Sequence, residues 1–186
     1  MRSVALIGPQ GSGKTTLAEQ LVEFRGYQRH GIADAIKEVT RLAYPSLAKH
    51  ESLEVHRYSG ATILTGRELF QDVGAALREV DNEFWLRVWR QDYFELVRMG
   101  YGVVIDDVRL PREAEYLKAV SPDILLVRVH ASAEVRTERL GRLLGSQDIT
   151  EQGWKAAPFD IQIDTTDLTG EQAFRVLVER IDEESL

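Results

Sequence analysis

Eight consecutive residues near the start of the chain, Gly8-Pro9-Gln10-Gly11-Ser12-Gly13-Lys14-Thr15, satisfy the pattern G-x-x-x-x-G-K-[ST] in full. Residues of these types at this spacing bind a nucleotide's phosphates. Glycines let the backbone curl so that successive N–H groups point inward at phosphate oxygens. The Lys14 ammonium is expected to reach the β- and γ-phosphates of ATP, and the Thr15 hydroxyl to bind Mg²⁺. Gly8, Gly11, Ser12, Gly13, Lys14, Thr15 and Thr16 are thus the expected ATP contacts. The loop supplies the nucleotide but not the reaction, because enzymes and switches share it.

Further acids and cations have the chemistry to complete a phosphotransferase. Asp106 and Asp107 close an apolar run, Val103-Val104-Ile105. A carboxylate at the carboxyl end of a parallel strand faces the edge where ligands gather, where it can serve Mg²⁺ or accept a substrate proton. Arg109 follows two residues later, suited to grip a phosphate bidentately or to pair with Glu113. Arg136, Arg139 and Arg142, spaced by three, spread over one broad helix face behind Arg128 and His130. Cations placed on a transferring phosphoryl group lower its barrier, so these arginines are candidates for a mobile lid. The alternative is a solvated face balanced by Glu134 and Glu138.

The elements that must position these groups follow from the apolar pattern. Val4 to Ile7 reads as a buried parallel strand leading straight into the glycine-rich loop, and Lys14 to Phe24 as the helix that follows. Tyr27 to Ile32 suggests a weaker second strand, and Asp34 to Tyr44 a helix stopped by Pro45. Residues 45 to 65 look polar and unpatterned, a loop region. Arg67 to Arg78 reads as a helix. A second, capped by Asp81 or Asn82, runs to about Met99 before Gly100. Val103 to Ile105, Ile124 to Val129 and Ile161 to Ile163 are strands. Helices are expected over Arg112 to Val120, from Ser132, and after a Thr169-to-Gln172 capping box. Short β-branched strands alternating with helices imply an α/β fold, a parallel sheet covered on both faces.

Bulk properties narrow the function. A chain of 186 residues suits one domain, and with no cysteine it has no disulfide framework, thiolate metal site or cysteine nucleophile. The net charge of −7 argues for a small anionic ligand held by a few arginines and against polymeric nucleic acid. No apolar run approaches the roughly 20 residues that span a bilayer, so no membrane partner and a cytoplasmic location are expected. The only asparagine, Asn82, precedes Glu83, so no Asn-Lys-x-Asp guanine-reading motif is present and a GTPase switch is a poor reading.

Four segments resemble those of bacteriophage deoxynucleoside monophosphate kinases, in matching order and spacing over most of the chain. They are Gly8 to Thr16, Ala33-Asp34-Ala35-Ile36-Lys37-Glu38, Gly66 to Gly74, and Asp106-Asp107-Val108-Arg109-Leu110-Pro111-Arg112-Glu113. The last is the most specific. Where the family tends to have Pro-Leu, this chain has Ala35-Ile36, and where it tends to have Phe and Asn this chain has Leu110 and Arg112, departures that bear on base choice more than on reaction type. The resemblance implies a P-loop NTPase fold of the nucleoside monophosphate kinase kind: three layers, α/β/α, around a parallel five-stranded sheet. It implies one domain over residues 1–186, with a helical substrate region at about 34–99 and a lid at about 132–160. It implies ATP, Mg²⁺ and a deoxynucleoside monophosphate acceptor, in the host cytoplasm if the gene is a phage's. Asp34, Lys37, Arg67, Arg78, Trp85, Arg109 and Glu113 become substrate-side candidates, and Asp107 the preferred acid, because the Asp-x-Arg spacing aligns on it. Lys14, Arg109, Arg136, Arg139 and Asp107 are the catalytic candidates, and Thr15, Asp106 and Asp107 the metal-side ones.

The stretch Val127 to Glu134, with Arg136 and Arg139 after it, is also similar to the lid approach of animal-type phosphomevalonate kinases, so another phosphorylated metabolite is an alternative acceptor. A third reading is an ATP-binding regulator without an acceptor. The long middle helices are compatible with a homodimer.

Overall fold

The computed structural model describes residues 1–141 and 153–183. The chain forms two compact units, one of residues 1–31 and 90–186, the other of residues 32–89.

The first unit is built on a five-stranded parallel sheet. Its strands are β1 (Val4–Ile7), β2 (Gln28–Arg29), β5 (Val103–Val108), β6 (Leu125–His130) and β7 (Ile161–Asp164), in the order β2-β5-β1-β6-β7. β1 lies at the centre and is wholly buried, which is why it reads as an unbroken apolar run. One face is covered by α1 (Lys14–Arg25) and α7 (Gly170–Glu183). There Leu17, Ala18 and Leu21 of α1 and Ala173, Leu177 and Ile181 of α7 form a core with Val4, Leu6, Val104, Val127 and Val129. The remaining helices of this unit are α5 (Pro111–Val120) and α6 (Ala133–Leu140). Tyr93 ties the start of the sheet to the end of α5, its hydroxyl lying 2.9 Å from Ser121 Oγ and 3.4 Å from Ser3 Oγ.

The register contains one irregularity that matters below. Ala5 pairs with Ile105, but Ile7 pairs with Val108, so Asp106 and Asp107 together oppose the single residue Leu6. This is a β-bulge, and it falls on the two acids.

The second unit holds α2 (Ile32–Ala43), the antiparallel hairpin β3 (Ser52–Arg57) and β4 (Gly60–Thr65), and α3 (Gly66–Val80). The helix α4 (Phe84–Arg98) begins in it and continues past residue 89. The hairpin corrects the expectation of a loop over residues 45–65. Leu53, Val55, Thr62 and Leu64 are half-buried while Glu54, His56, Ala61 and Ile63 are exposed, a period-2 pattern. On β4 the outward residues Ala61 and Ile63 are themselves apolar and Thr62 faces inward, which hides that alternation in the sequence. α3 opens with a capping box: Thr65 N–H donates to Glu68 Oε2 at 2.7 Å, and Glu68 N–H to Thr65 Oγ1 at 3.3 Å.

Elsewhere the elements fall close to the expected places. β2 is shorter than the anticipated Tyr27-to-Ile32 strand, because α2 already begins at Ile32. The Thr169-to-Gln172 capping box is formed in both directions, at 2.9 and 3.2 Å. Of the anticipated lid, residues 142–152, with Arg142, lie outside the described residues.

Trp85 is 2% exposed and its indole Nε1–H donates to Gly74 O at 3.0 Å. Replacing it by phenylalanine removes that donor from Gly74 O and shrinks the ring. Trp85→Phe is expected to lower stability by about 1–3 kcal/mol, read from denaturant unfolding, with the far-UV spectrum unchanged.

Candidate nucleotide-binding site

The glycine-rich loop leaves β1 at Ile7 and enters α1 at Lys14. Its first turn runs against β6. A Cβ built on Gly8 would lie 2.1 Å from Val129 O, with a backbone φ of +155°, so only glycine fits there. At Gly11, φ is +80° and a Cβ would meet the backbone oxygen of Arg136 at 3.1 Å, so α6 rests directly on the loop.

The carbonyl groups of the loop account for the direction of its amides. Lys14 Nζ donates to Gly8 O at 2.8 Å and Pro9 O at 2.6 Å. Arg136 Nη1 donates to Gln10 O at 3.3 Å, and Arg139 Nη1 to Gly11 O at 3.3 Å. Thr165 Oγ1 donates to Ser12 O at 2.9 Å, and Leu17 N–H to Gly13 O at 3.0 Å. Six successive carbonyls, from Gly8 to Gly13, thus have donors, so the loop's inner side can be given over to N–H groups, the arrangement of an anion-binding nest. Ser12 Oγ is buried there with no hydrogen-bond partner among the described residues. An orphaned hydroxyl and a buried lysine held on bare carbonyls are groups that phosphate oxygens satisfy. The residues present therefore fit the triphosphate of ATP.

On the metal side, Thr15 Oγ1 donates to Asp106 Oδ2 at 3.0 Å. Only 2% of the Asp106 side chain is exposed, and its other oxygen, Oδ1, receives Arg29 Nε at 2.9 Å and Arg29 Nη2 at 2.8 Å. A hydroxyl and a carboxylate side by side are oxygen ligands of the kind Mg²⁺ takes, so the pair fits that ion. Asp107, the acid preferred from sequence, is half-buried at the next position of the bulge. The carboxylate brought to Thr15 is that of Asp106. Thr16 is exposed on the first turn of α1.

Arg109 and Glu113 flank the start of α5. Glu113 Oε2 accepts the backbone N–H groups of Arg109 at 2.8 Å and Leu110 at 3.0 Å, and Glu113 is 9% exposed. Its carboxylate serves as a cap on the free amides of a helix N-terminus, a use readable from its place in the first turn after Pro111. Arg109 itself is half-buried.

In the second unit, Lys37 Nζ is paired with Asp34 Oδ1, one helical turn apart. Arg67 is exposed on the first turn of α3 and Arg78 is half-buried on its last. Trp85, a substrate-side candidate from sequence, packs in the interior with its N–H already engaged.

Two residues of the site went unremarked in the sequence. Arg29 sits at the end of a two-residue strand, and only its pairing beside β5 brings it to Asp106. Thr165 is 3% exposed just past β7, and besides Ser12 O its hydroxyl meets His130 O at 3.1 Å and accepts from Arg139 Nη1 at 3.1 Å. The signal for Thr165 was a polar residue directly after an apolar strand at the ligand-binding edge. Next to it, Asp164 Oδ1 accepts from Thr166 Oγ1 at 2.6 Å and Thr166 N–H at 2.9 Å, and Asp164 Oδ2 lies 3.3 Å from His130 Nδ1. The bond from the Thr166 hydroxyl, first, holds the Asp164 carboxyl below its ordinary range. Arg128 lies with its guanidinium 3.7 Å over the Phe159 ring and donates to Lys155 O and Ala157 O; burial lowers its affinity for its proton.

Among the described residues no cluster of three or more metal-ligating side chains occurs, and no helix is long and apolar enough to cross a membrane.

Residues 4–151 match the family model described as AAA domain. The fold is that of P-loop kinases. A sugar kinase from Janibacter sp. HTCC2649 superposes with a TM-score of 0.58 at 16% identity, over 98% of this chain and 95% of that one. A shikimate kinase from Aquifex aeolicus VF5 gives 0.56 at 16%, over 100% and 98%. A gluconokinase from Sinorhizobium meliloti 1021 gives 0.54 at 18%, over 100% and 98%. Comparison with curated protein sequences gives no match.

Two outcomes follow. Thr165→Val removes the hydroxyl that serves Ser12 O and Arg139. It is expected to destabilise the chain by about 1–3 kcal/mol in denaturant unfolding and to weaken ATP binding measured by calorimetry. Because the Asp164 carboxyl is held low, its contribution to stability is complete above the ordinary carboxylate range and is lost as pH falls through the lowered folded value. Asp164→Asn is therefore expected to flatten the acid limb of stability against pH, measured by thermal unfolding from neutral pH downward.

Proposed function

This chain belongs to the AAA domain family, and on that premise we propose that it is an ATP-dependent phosphotransferase whose acceptor is a small phosphate-bearing molecule, a deoxynucleoside monophosphate. The observation that carries this reading is the 3.0 Å hydrogen bond from Thr15 Oγ1 to the buried Asp106 Oδ2 beside the phosphate-binding loop. A loop alone binds a nucleotide. A loop threonine joined to a carboxylate at the end of β5 adds the metal side that phosphoryl transfer requires.

The catalytic work assigned to this chain is positioning and charge. In the ATP complex Lys14 exchanges its two loop carbonyls for phosphate oxygens, and the inward amides hold the rest of the triphosphate. Thr15 and Asp106 are the residues that would hold Mg²⁺, which would supply positive charge to offset that of the phosphates. A bond forms from the γ-phosphorus to an oxygen of the acceptor, and the bond to the β–γ bridging oxygen breaks, leaving ADP. A monophosphate acceptor brings an oxygen already ionised near neutral pH, so no base is needed at that step. Arg109 is the acceptor-phosphate candidate of the first unit, and Asp34, Lys37, Arg67 and Arg78 are the acceptor-side candidates of the second. The deoxynucleotide acceptor is supported by the resemblance of the Asp106-to-Glu113 and Gly66-to-Gly74 segments to the phage kinases. Arg136 and Arg139, whose guanidiniums bond loop carbonyls, are the candidates for stabilising the transferring group.

A coupled assay of ADP release tests the reading against a panel of deoxynucleoside and ribonucleoside monophosphates, phosphomevalonate, gluconate and shikimate. Release driven by deoxynucleoside monophosphates is expected. Release with gluconate or shikimate alone would replace the phosphate acceptor by a hydroxyl one, and none with any acceptor would leave an ATP-binding regulator. Lys14→Ala is expected to lower kcat/KM by about 10²- to 10³-fold, and unchanged turnover in that variant would contradict the proposed ATP site.

A further inference from the structure

The function proposed above uses one oxygen of Asp106, and the other is taken by a residue that function does not employ. We propose that Arg29 is a positioning residue for the metal side of the nucleotide site, holding the Asp106 carboxylate so that Oδ2 is presented to Thr15. This rests on the reading that the loop binds a magnesium nucleotide.

The geometry supplies the argument. β2 is only two residues long, yet Gln28 and Arg29 pair in register with Val103 and Val104, the first residues of β5, which sets Arg29 two positions short of Asp106 on the neighbouring strand. Asp106 stands two residues after Val104, at the bulge, within reach of the long Arg29 side chain. Arg29 Nε and Nη2 both reach Oδ1, at 2.9 and 2.8 Å, while Thr15 Oγ1 reaches Oδ2 at 3.0 Å. Two donors of a rigid planar group hold Oδ1 while Thr15 meets Oδ2, so the carboxylate is held at both oxygens. Oδ2 then has one orientation relative to α1. The Asp106 side chain is 2% exposed and that of Arg29 is 38% exposed, so the guanidinium compensates a buried charge from the solvent side. A group that orients a metal-side ligand, without touching the ion, tunes affinity for that ion.

The test is the Mg²⁺ dependence of ADP binding to the full chain, followed by calorimetry, with no acceptor present. Arg29→Met is expected to raise the Mg²⁺ concentration for half-maximal tightening by about 10- to 100-fold, leaving metal-free ADP binding unchanged. Arg29→Lys, which keeps the charge but loses the fork, is expected to fall between. If Arg29 acts through Asp106, adding Arg29→Met to Asp106→Asn costs nothing further. Wild-type Mg²⁺ dependence in Arg29→Met, or an additive loss in the double variant, overturns the inference. Should Arg29→Met fail to fold, wild-type Mg²⁺ dependence in Arg29→Lys overturns it instead. A wild-type chain that binds ADP with Mg²⁺ yet phosphorylates no acceptor removes the proposed acceptor and leaves this role standing. ADP binding with no Mg²⁺ dependence removes this role together with the metal side on which it rests.

Discussion

A carboxylate taken almost wholly out of water must be compensated, and Asp106 is compensated on both of its oxygens. Moving such a charge into a protein interior costs several kcal/mol, which is recovered only when partners meet it with good geometry. Arg29 and Thr15 are those partners, and they come from different elements. For the three to meet, β2 must lie beside β5, β5 beside β1, and α1 must start directly above the end of β1. That is the observed strand order and the observed loop. The bulge opposite Leu6 is the local adjustment that gives the strand an extra acid at this point. The site is therefore one of the conditions the fold satisfies, since any other neighbour for β5 would leave a buried charge unpaired.

The far side of the loop obeys a different rule. Backbone carbonyls that point away from a bound anion still need donors. From Gly8 to Gly13 they receive them from Lys14, Arg136, Arg139, Thr165 and the next turn of helix. α6 and the residue after β7 thereby act as a backing for the loop. The arginines of α6 carry this structural duty alongside the role proposed for them in transfer. A loop held in this way keeps its amides oriented before the nucleotide arrives, which lowers the ordering cost of binding.

What was legible in the sequence was local. The loop motif, the central strand before it and the helix after it are contiguous, so their pattern survives in one dimension. Ser132 and Thr169 announce their helices through capping chemistry, which spans only a few residues. Arg29 was illegible because its role comes from strand register, a property of pairing across 77 positions of sequence. Thr165 was hidden for the same reason, 153 positions from Ser12. The hairpin was missed because half of its residues face water and its apolar half is only partly buried, so no run stands out. Trp85 and Glu113 are a different case. Their types suggest recognition, yet an indole N–H on a main-chain carbonyl and a carboxylate on helix amides are structural uses of polar atoms.

These observations separate what fixes the nucleotide from what chooses the acceptor. Phosphates are held mainly by main-chain amides, which any sequence with the right glycines and backing donors presents. Acceptor recognition has no such generic device, and under the proposed function it would depend on the identity of side chains such as Arg109 in the first unit and Asp34, Lys37, Arg67 and Arg78 in the second. The Asp34–Lys37 pair is tied within a single turn of α2, and the guanidinium of Arg78 adjoins Gly74 one turn earlier on α3. Substitutions at such positions alter recognition without disturbing the six carbonyls or the Asp106 cluster. Acceptor preference can thus change while the phosphate-binding apparatus stays constant. On the proposed deoxynucleotide acceptor, departures such as Ala35-Ile36, next to Asp34, would bear on base choice more than on the chemistry of transfer.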